Sequence, residues 1–96
     1  MAKGYWIAFY RKIENPDALA TYAKLAGPAI EAGGGKFLAR GVPLKAYEAG
    51  LRERTVVIEF ESVEKATSTF ESANYQAAAK LLVGAAERDI RIIEGT

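Results

Sequence analysis

Tyr5-Trp6-Ile7-Ala8-Phe9-Tyr10 carries no charged or amide side chain at any of its six positions. The run is rich in aromatics and reads as a strand. A strand sends successive side chains to opposite faces of its sheet, so this one is apolar on both faces. Helices cover only one face of a simple antiparallel sheet, and something else must cover the other. In a chain of 96 residues the simplest cover is a second copy of the same chain.

The strand extends over residues 4 to 12. Asn15-Pro16-Asp17 then has the residues of a helix start: an N-cap, a first-turn proline and an acid at the positive helix end. Leu19, Tyr22, Ala23, Ala26 and Ile30 follow near the 3.6 period. Gly27-Pro28 predicts a break or kink, and Gly33-Gly34-Gly35 a C-cap. Lys36 to Gly41 reads as a second strand. A long loop runs from Val42 to Arg52, with a short edge strand predicted over Lys45 to Ala49. Arg54 to Glu61 is a third strand. Ser62 caps a helical region that softens at Ser72-Ala73-Asn74 and resumes over Tyr75 to Ala86, and Asp89 to Glu94 is a last strand. The order is strand, helix, strand, strand, helix, strand. That is the split βαβ plan of an α+β, ferredoxin-like domain: a four-stranded antiparallel sheet with its helices on one face. The whole of 1–96 is read as one domain, too short for two cores.

Strand parity divides the sheet. One set, Ile7, Phe9, Phe37, Ala39, Val56, Ile58, Phe60, Ile90 and Ile92, is wholly apolar and is expected to face the helices. Leu19, Tyr22, Ala26, Phe70, Ala78, Leu81 and Leu82 are expected to supply the lid. The other set, Trp6, Ala8, Tyr10, Leu38, Arg40, Val57, Glu59, Arg91 and Ile93, is mixed. It suits a sheet that faces a partner sheet around a partly polar cavity, and a small-molecule pocket is expected either between sheet and helices or between sheet and sheet. A single β-bulge would exchange the two sets.

Composition excludes much. There is no cysteine and no histidine, so disulfides, thiolate nucleophiles, His-based triads and His-ligated haem are ruled out. No clustered carboxylates suggest a metal site, and no cofactor is expected. Net charge is +1 with acids and bases interspersed, which gives no footprint for nucleic acid. No apolar run approaches the length that crosses a bilayer. Met1-Ala2-Lys3-Gly4 runs straight into a strand, so a signal peptide is not expected and a cytoplasmic location is.

Within the mixed set, Arg40 could hold a carboxylate or an enolate oxygen through forked hydrogen bonds. It could equally pair with Glu59 or make an interface contact. Glu59 is a candidate base if burial raises its pKa, a role that an adjacent arginine would suppress. Trp6 and Tyr10 could stack an aromatic ligand or anchor a dimer interface. Tyr22 and Tyr75 could turn hydroxyls into a pocket or pack in the core with a wet tip, and Leu38 would line its apolar wall. The triple glycine lacks the spacing of a phosphate loop and follows a helix.

Lys3-Gly4-Tyr5-Trp6-Ile7-Ala8, Gly34-Gly35-Lys36-Phe37-Leu38-Ala39-Arg40-Gly41, Val56-Val57-Ile58-Glu59-Phe60, Tyr75 and Ile93-Glu94-Gly95 stand in order over nearly the whole chain. In these stretches the sequence resembles the domain-of-unknown-function family 1330, within the dimeric α+β barrel superfamily. The resemblance implies a ferredoxin-like subunit whose sheet packs on that of a twin. The superfamily also holds cofactor-free monooxygenases, muconolactone isomerases and haem enzymes, but this family has no settled activity. Three positions depart from its pattern: Val42 replaces a glycine, Glu61 a proline and Leu82 an arginine. An anion-binding role of that arginine would be lost here. The functional expectation is a cofactor-independent enzyme acting on a small anionic or aromatic metabolite. The alternative is a homodimeric binding or structural module without catalysis.

Overall fold

The computed structural model describes residues 2–96. Four strands, β1 (Gly4–Ile13), β2 (Lys36–Gly41), β3 (Thr55–Phe60) and β4 (Ala86–Glu94), form one antiparallel sheet in the order β2-β3-β1-β4. The helices are α1 (Pro16–Ala32), α2 (Val63–Phe70) and α3 (Ala73–Ala79), which a 3-10 turn (Lys80–Leu82) extends. This is the α+β, ferredoxin-like arrangement, with two interleaved βαβ units and an open sheet.

The local signals act where the side chains predict. Asn15 accepts from the Ala18 amide (3.1 Å) and Ser62 from that of Lys65 (3.1 Å), each satisfying an orphan donor of a first helical turn. Ser72 does the same for Tyr75 (3.2 Å), which turns the soft break into a new helix start. Gly33 caps α1, and Gly34 beyond it holds φ +93°, in the left-handed region.

Four local expectations are corrected. Helix α1 runs unbroken through Gly27-Pro28. Pro28 and Lys24 both lie on its exposed side, where water can serve the Lys24 carbonyl that proline leaves without a donor. Lys45 to Ala49 forms no strand. The last helix ends at Ala79 rather than Ala86, and β4 begins at Ala86 rather than Asp89. Leu81 is exposed and takes no part in the lid.

The larger correction concerns which residues face the helices. Register pairs Trp6 with Ile58 and Ile92, and Ala8 with Val56 and Ile90. Trp6, Ala8, Tyr10, Val56, Ile58 and Phe60 are buried in one cluster with Tyr22, Ala26, Ile30, Ala66, Tyr75, Ala78 and Leu82. Ile7 and Phe9, expected inside, lie on the opposite face with Val57 and Glu59. In β1 the parity is therefore reversed, because a strand that is apolar at every position carries no alternation to read. In β2 the register slips between Phe37 and Ala39, so Phe37 opposes Ile58 but Arg40 opposes Val56. The bulge at Leu38 keeps Phe37 on the helix face and brings Arg40 to that face too, while Ala39 goes outward.

The core closes tightly at the start of β1. A Cβ on Gly4 would lie 2.6 Å from the Ser62 carbonyl carbon and oxygen and from the Val63 amide. Backbone cannot rotate away as a side chain can, so Gly4→Ala should destabilise the fold by about 1–3 kcal/mol, the usual cost of overpacking. Thermal melts should show a Tm several degrees below that of the wild type; an unchanged Tm would contradict this packing.

Candidate functional site

Helix α1 approaches the sheet through Ala23, Ala26 and Gly27, whose side chains are too short to fill the gap. The result is a cavity of about 400 Å³ of empty space, its open mouth included. The cavity proper holds about 30 Å³, little more than a water molecule, so a larger ligand must seat in the open mouth or push the lining apart. Trp6, Tyr10, Phe37, Val56 and Ile58 form the sheet side, with Tyr22 and Ile30 on the helix side.

The polar lining is of one kind. Arg40, Arg54 and Arg88 all border the cavity, and no Asp or Glu does. Arg40 is exposed at the rim, its guanidinium 4.8 Å from the centre of the Phe37 ring. Arg54 and Arg88 lie deeper and both approach the Tyr10 ring, at 5.8 and 5.7 Å. A guanidinium against a ring face gains attraction that grows as water is excluded. Among the described residues two buried donors, the Trp6 indole Nε1 and the Arg54 Nε, have no hydrogen-bond partner, and both residues belong to this lining. Buried donors are rarely left unpaired without a reason.

Behind Arg88 lies a three-membered hydroxyl cluster. The Tyr22 and Tyr75 hydroxyls are 2.8 Å apart, and Arg88 Nη1 donates to both, at 3.1 and 3.2 Å. Burial, followed by the neighbouring Tyr75, pushes the Tyr22 pKa well above its ordinary value. Tyr22 is thus held protonated and is no base at neutral pH. Burial alone would weaken the Arg88 charge; the oxygens of Tyr22, Tyr75 and Tyr10 outweigh it, and the pKa stands above the ordinary arginine value.

The structure brings Trp6, Tyr10, Tyr22 and Arg40 to one cavity and sets Tyr75 directly behind Tyr22. It separates the others. Leu38 is at the β2 bulge, 47% exposed and outside the cavity lining. Glu59 is on the far face of the sheet, where it accepts from the Tyr5 hydroxyl at 3.2 Å and faces Lys3 at 3.7 Å. The expected Arg40–Glu59 pair does not form, because the bulge puts the two on opposite faces. Trp6 and Tyr10 are not anchors on an open face; both are buried under the helices. Arg54 and Arg88 were legible as charges but not as site residues. Arg54 stands at the edge of the loop, and Arg88 lies in a part of β4 that the sequence assigns to a connection. Leu82, where the resemblance implies an arginine, is buried in the core.

The opposite face has its own character. Phe9 is 38% and Ile93 58% exposed, with Ile7 and Val57 half-buried between them. Arg91 forks onto Asp89 at 2.8 and 3.2 Å. Among the described residues no three His, Cys, Asp or Glu side chains converge as a metal site, and no helix is long and apolar enough to cross a membrane.

The family model described as Domain of unknown function (DUF1330) matches residues 3–96. No curated protein matches the sequence. Among solved structures, the chain is similar to a protein of unknown function from Rhodopseudomonas palustris, at 18% identity and a TM-score of 0.75, covering 99% of this chain and 83% of that one. It is also similar to a dimeric, ferredoxin-like protein of unknown function from Bacteroides fragilis, at 14% identity and TM-score 0.62, covering 97% and 95%. A dimeric ferredoxin-like protein of unknown function from Thermobifida fusca follows at 15% and 0.60, covering 97% and 91%. At these identities the likeness is one of fold.

The hydroxyl cluster has a consequence for stability. Tyr22 keeps its proton in the folded chain at pH values where the unfolded chain, with an ordinary tyrosine pKa of 10.0, releases it. The contribution is fully present below about pH 10 and is lost as pH rises further, at up to about 1.4 kcal/mol per pH unit. Denaturant melts between pH 9 and 12 should show this decline in the wild type and a shallower one in Tyr22→Phe. Equal slopes would contradict the buried phenol.

Proposed function

The chain belongs to the family described as Domain of unknown function (DUF1330), and from that premise we propose that it is a homodimeric module that binds a small anionic molecule with a flat apolar body. The observation that carries this reading is the one-signed polar lining: Arg40, Arg54 and Arg88 around an aromatic cavity without a carboxylate. Uncompensated guanidiniums repel one another, and an anion seated among them relieves that repulsion while making charge-assisted hydrogen bonds. Trp6, Tyr10 and Phe37 offer apolar wall for the rest of the ligand.

Dimerisation through the outer sheet face completes the module. Phe9, Leu38 and Ile93 leave more apolar surface there than a lone subunit has reason to expose. The similar structures from B. fragilis and T. fusca are dimeric. A twin packed sheet to sheet would cover that face and leave each helix-side cavity with its own subunit. Ile93→Glu puts a charge into such an interface without touching the core. It should convert a dimer to a monomer in sedimentation runs, with at least about a hundredfold weaker association, as expected for an unpaired buried charge. A wild type that is itself monomeric at high concentration would rule the dimer out.

Cofactor-independent turnover is the second reading, and one observation favours it. Guanidiniums and a phenolic O–H together are what a developing enolate oxygen requires. Against it, no lining side chain is a base at neutral pH, and Glu59 lies across the sheet. The binding reading is therefore preferred. Benzoate and related aryl acids should raise the Tm of the wild type, and the shift should shrink severalfold in Arg54→Ala but persist in Glu59→Gln. The acid should be recovered unchanged; its consumption would favour the catalytic reading, and no Tm shift with any small acid would contradict both.

A further inference from the structure

The hydroxyl cluster takes the anion-binding reading, on which this step rests, to a narrower statement about the ligand. We infer that Tyr22 meets the ligand only as a hydrogen-bond donor, that Tyr75 is the positioning residue that fixes this polarity, and that the ligand's group at that end of the cavity is an oxyanion that brings acceptors alone, as a carboxylate does.

A tyrosine hydroxyl has one hydrogen to give and oxygen lone pairs to accept with. The Tyr22 and Tyr75 oxygens are 2.8 Å apart, so one of them donates to the other. Both oxygens also accept from Arg88 Nη1. If Tyr22 were the donor, the Tyr75 hydrogen would need another acceptor. Tyr75 is fully buried, does not line the cavity and makes no other side-chain hydrogen bond. That arrangement would strand a buried donor, which costs its full desolvation. In the reverse arrangement Tyr75 donates to Tyr22, and nothing is stranded. The Tyr22 oxygen then accepts two hydrogen bonds, one from Tyr75 and one from Arg88, and its own hydrogen is free. Tyr22 borders the cavity, so the open direction for that hydrogen is toward a ligand.

Apart from the Tyr10 hydroxyl, every polar side chain around the cavity is now a donor. Arg40, Arg54 and Arg88 have no acceptor atoms, the Trp6 indole nitrogen is a donor only, and Tyr22 has both acceptor positions filled. Among the described residues the indole nitrogen and the Arg54 Nε are the two buried donors left without a partner. A ligand amine or ammonium would meet donors with donors. A carboxylate brings acceptors alone and matches both the charge and the hydrogen-bond polarity. Tyr75 needs no contact with it: its part is to keep the Tyr22 oxygen occupied.

Isothermal titration of benzoate into four proteins tests this: the wild type, Tyr22→Phe, Tyr75→Phe and the double variant. Loss of the Tyr22 donor should weaken binding about tenfold, the usual scale for one hydrogen bond to a charged group. Tyr75→Phe should weaken it about threefold in the wild-type background and not at all once Tyr22 is Phe, since coupled residues are non-additive. A purely structural Tyr75 would cost the same in both backgrounds, and that result overturns the inference. So does unchanged affinity in Tyr22→Phe. Benzoate that fails to bind the wild type would overturn the anion pocket as well, which separates the two failures. Should a phenylalanine variant not fold, 3-fluorotyrosine at position 22 alone makes a stronger donor. Benzoate should then bind more tightly, and equal or weaker binding overturns the inference.

Discussion

Everything depends on the inward packing of Trp6. Its indole stacks on Phe60 with ring centres 6.1 Å apart and takes the edges of Phe70 at 5.3 Å and Tyr75 at 4.8 Å. At 1% exposure it is among the most buried side chains of the domain. Aromatic clusters of this geometry gain more than their area alone provides. A strand has only two faces, so the choice made at Trp6 is made for β1 as far as Tyr10, beyond which the register slips. Ala8 and Tyr10 follow it inward; Tyr5, Ile7 and Phe9 are sent out. Tyr10 then backs the arginines of the cavity, and Phe9 joins the surface offered to a twin. Site and interface are thus two results of one packing decision.

That decision was the least legible part of the chain. The plan of strands and helices, the caps at Asn15 and Ser62, and the glycine end of α1 all rest on local chemistry, and all are found. The faces of β3 and β4 are also as read, because Glu59, Asp89 and Arg91 mark the outer positions between Val56, Ile58, Ile90 and Ile92 and their neighbours. In β1 both faces are apolar, so periodicity is silent and tertiary packing decides. In β2 the alternation is present but is interrupted at Leu38. One extra residue carried Arg40 to the face opposite the one its parity predicts and removed Glu59 as its neighbour.

The cavity was partly legible for the same physical reasons. Trp6, Tyr10, Tyr22 and Arg40 are candidates by residue type, and they meet on the helix face, one of the two places the sequence leaves open for a pocket. Arg54 and Arg88 drew no notice because charged residues beside loops are ordinarily solvated. What distinguishes them is visible only in three dimensions: the shared Tyr10 ring, the Tyr22–Tyr75 hydroxyl pair, and a cavity lining without a carboxylate. The short residues of α1 are a quieter signal. Ala23, Ala26 and Gly27 satisfy the helical period and yet leave space, so a stripe that reads as core is in part the wall of a void.

The resulting account gives the two faces of one sheet separate tasks, ligand on the helix side and twin on the other. A crystal structure of the protein grown with benzoate tests that division most directly. The account predicts the carboxylate among Arg54, Arg88 and the Tyr22 hydroxyl, beneath α1 and within a single subunit. Density for the acid between the sheets of two subunits, beside Glu59 and Ile93, would contradict it.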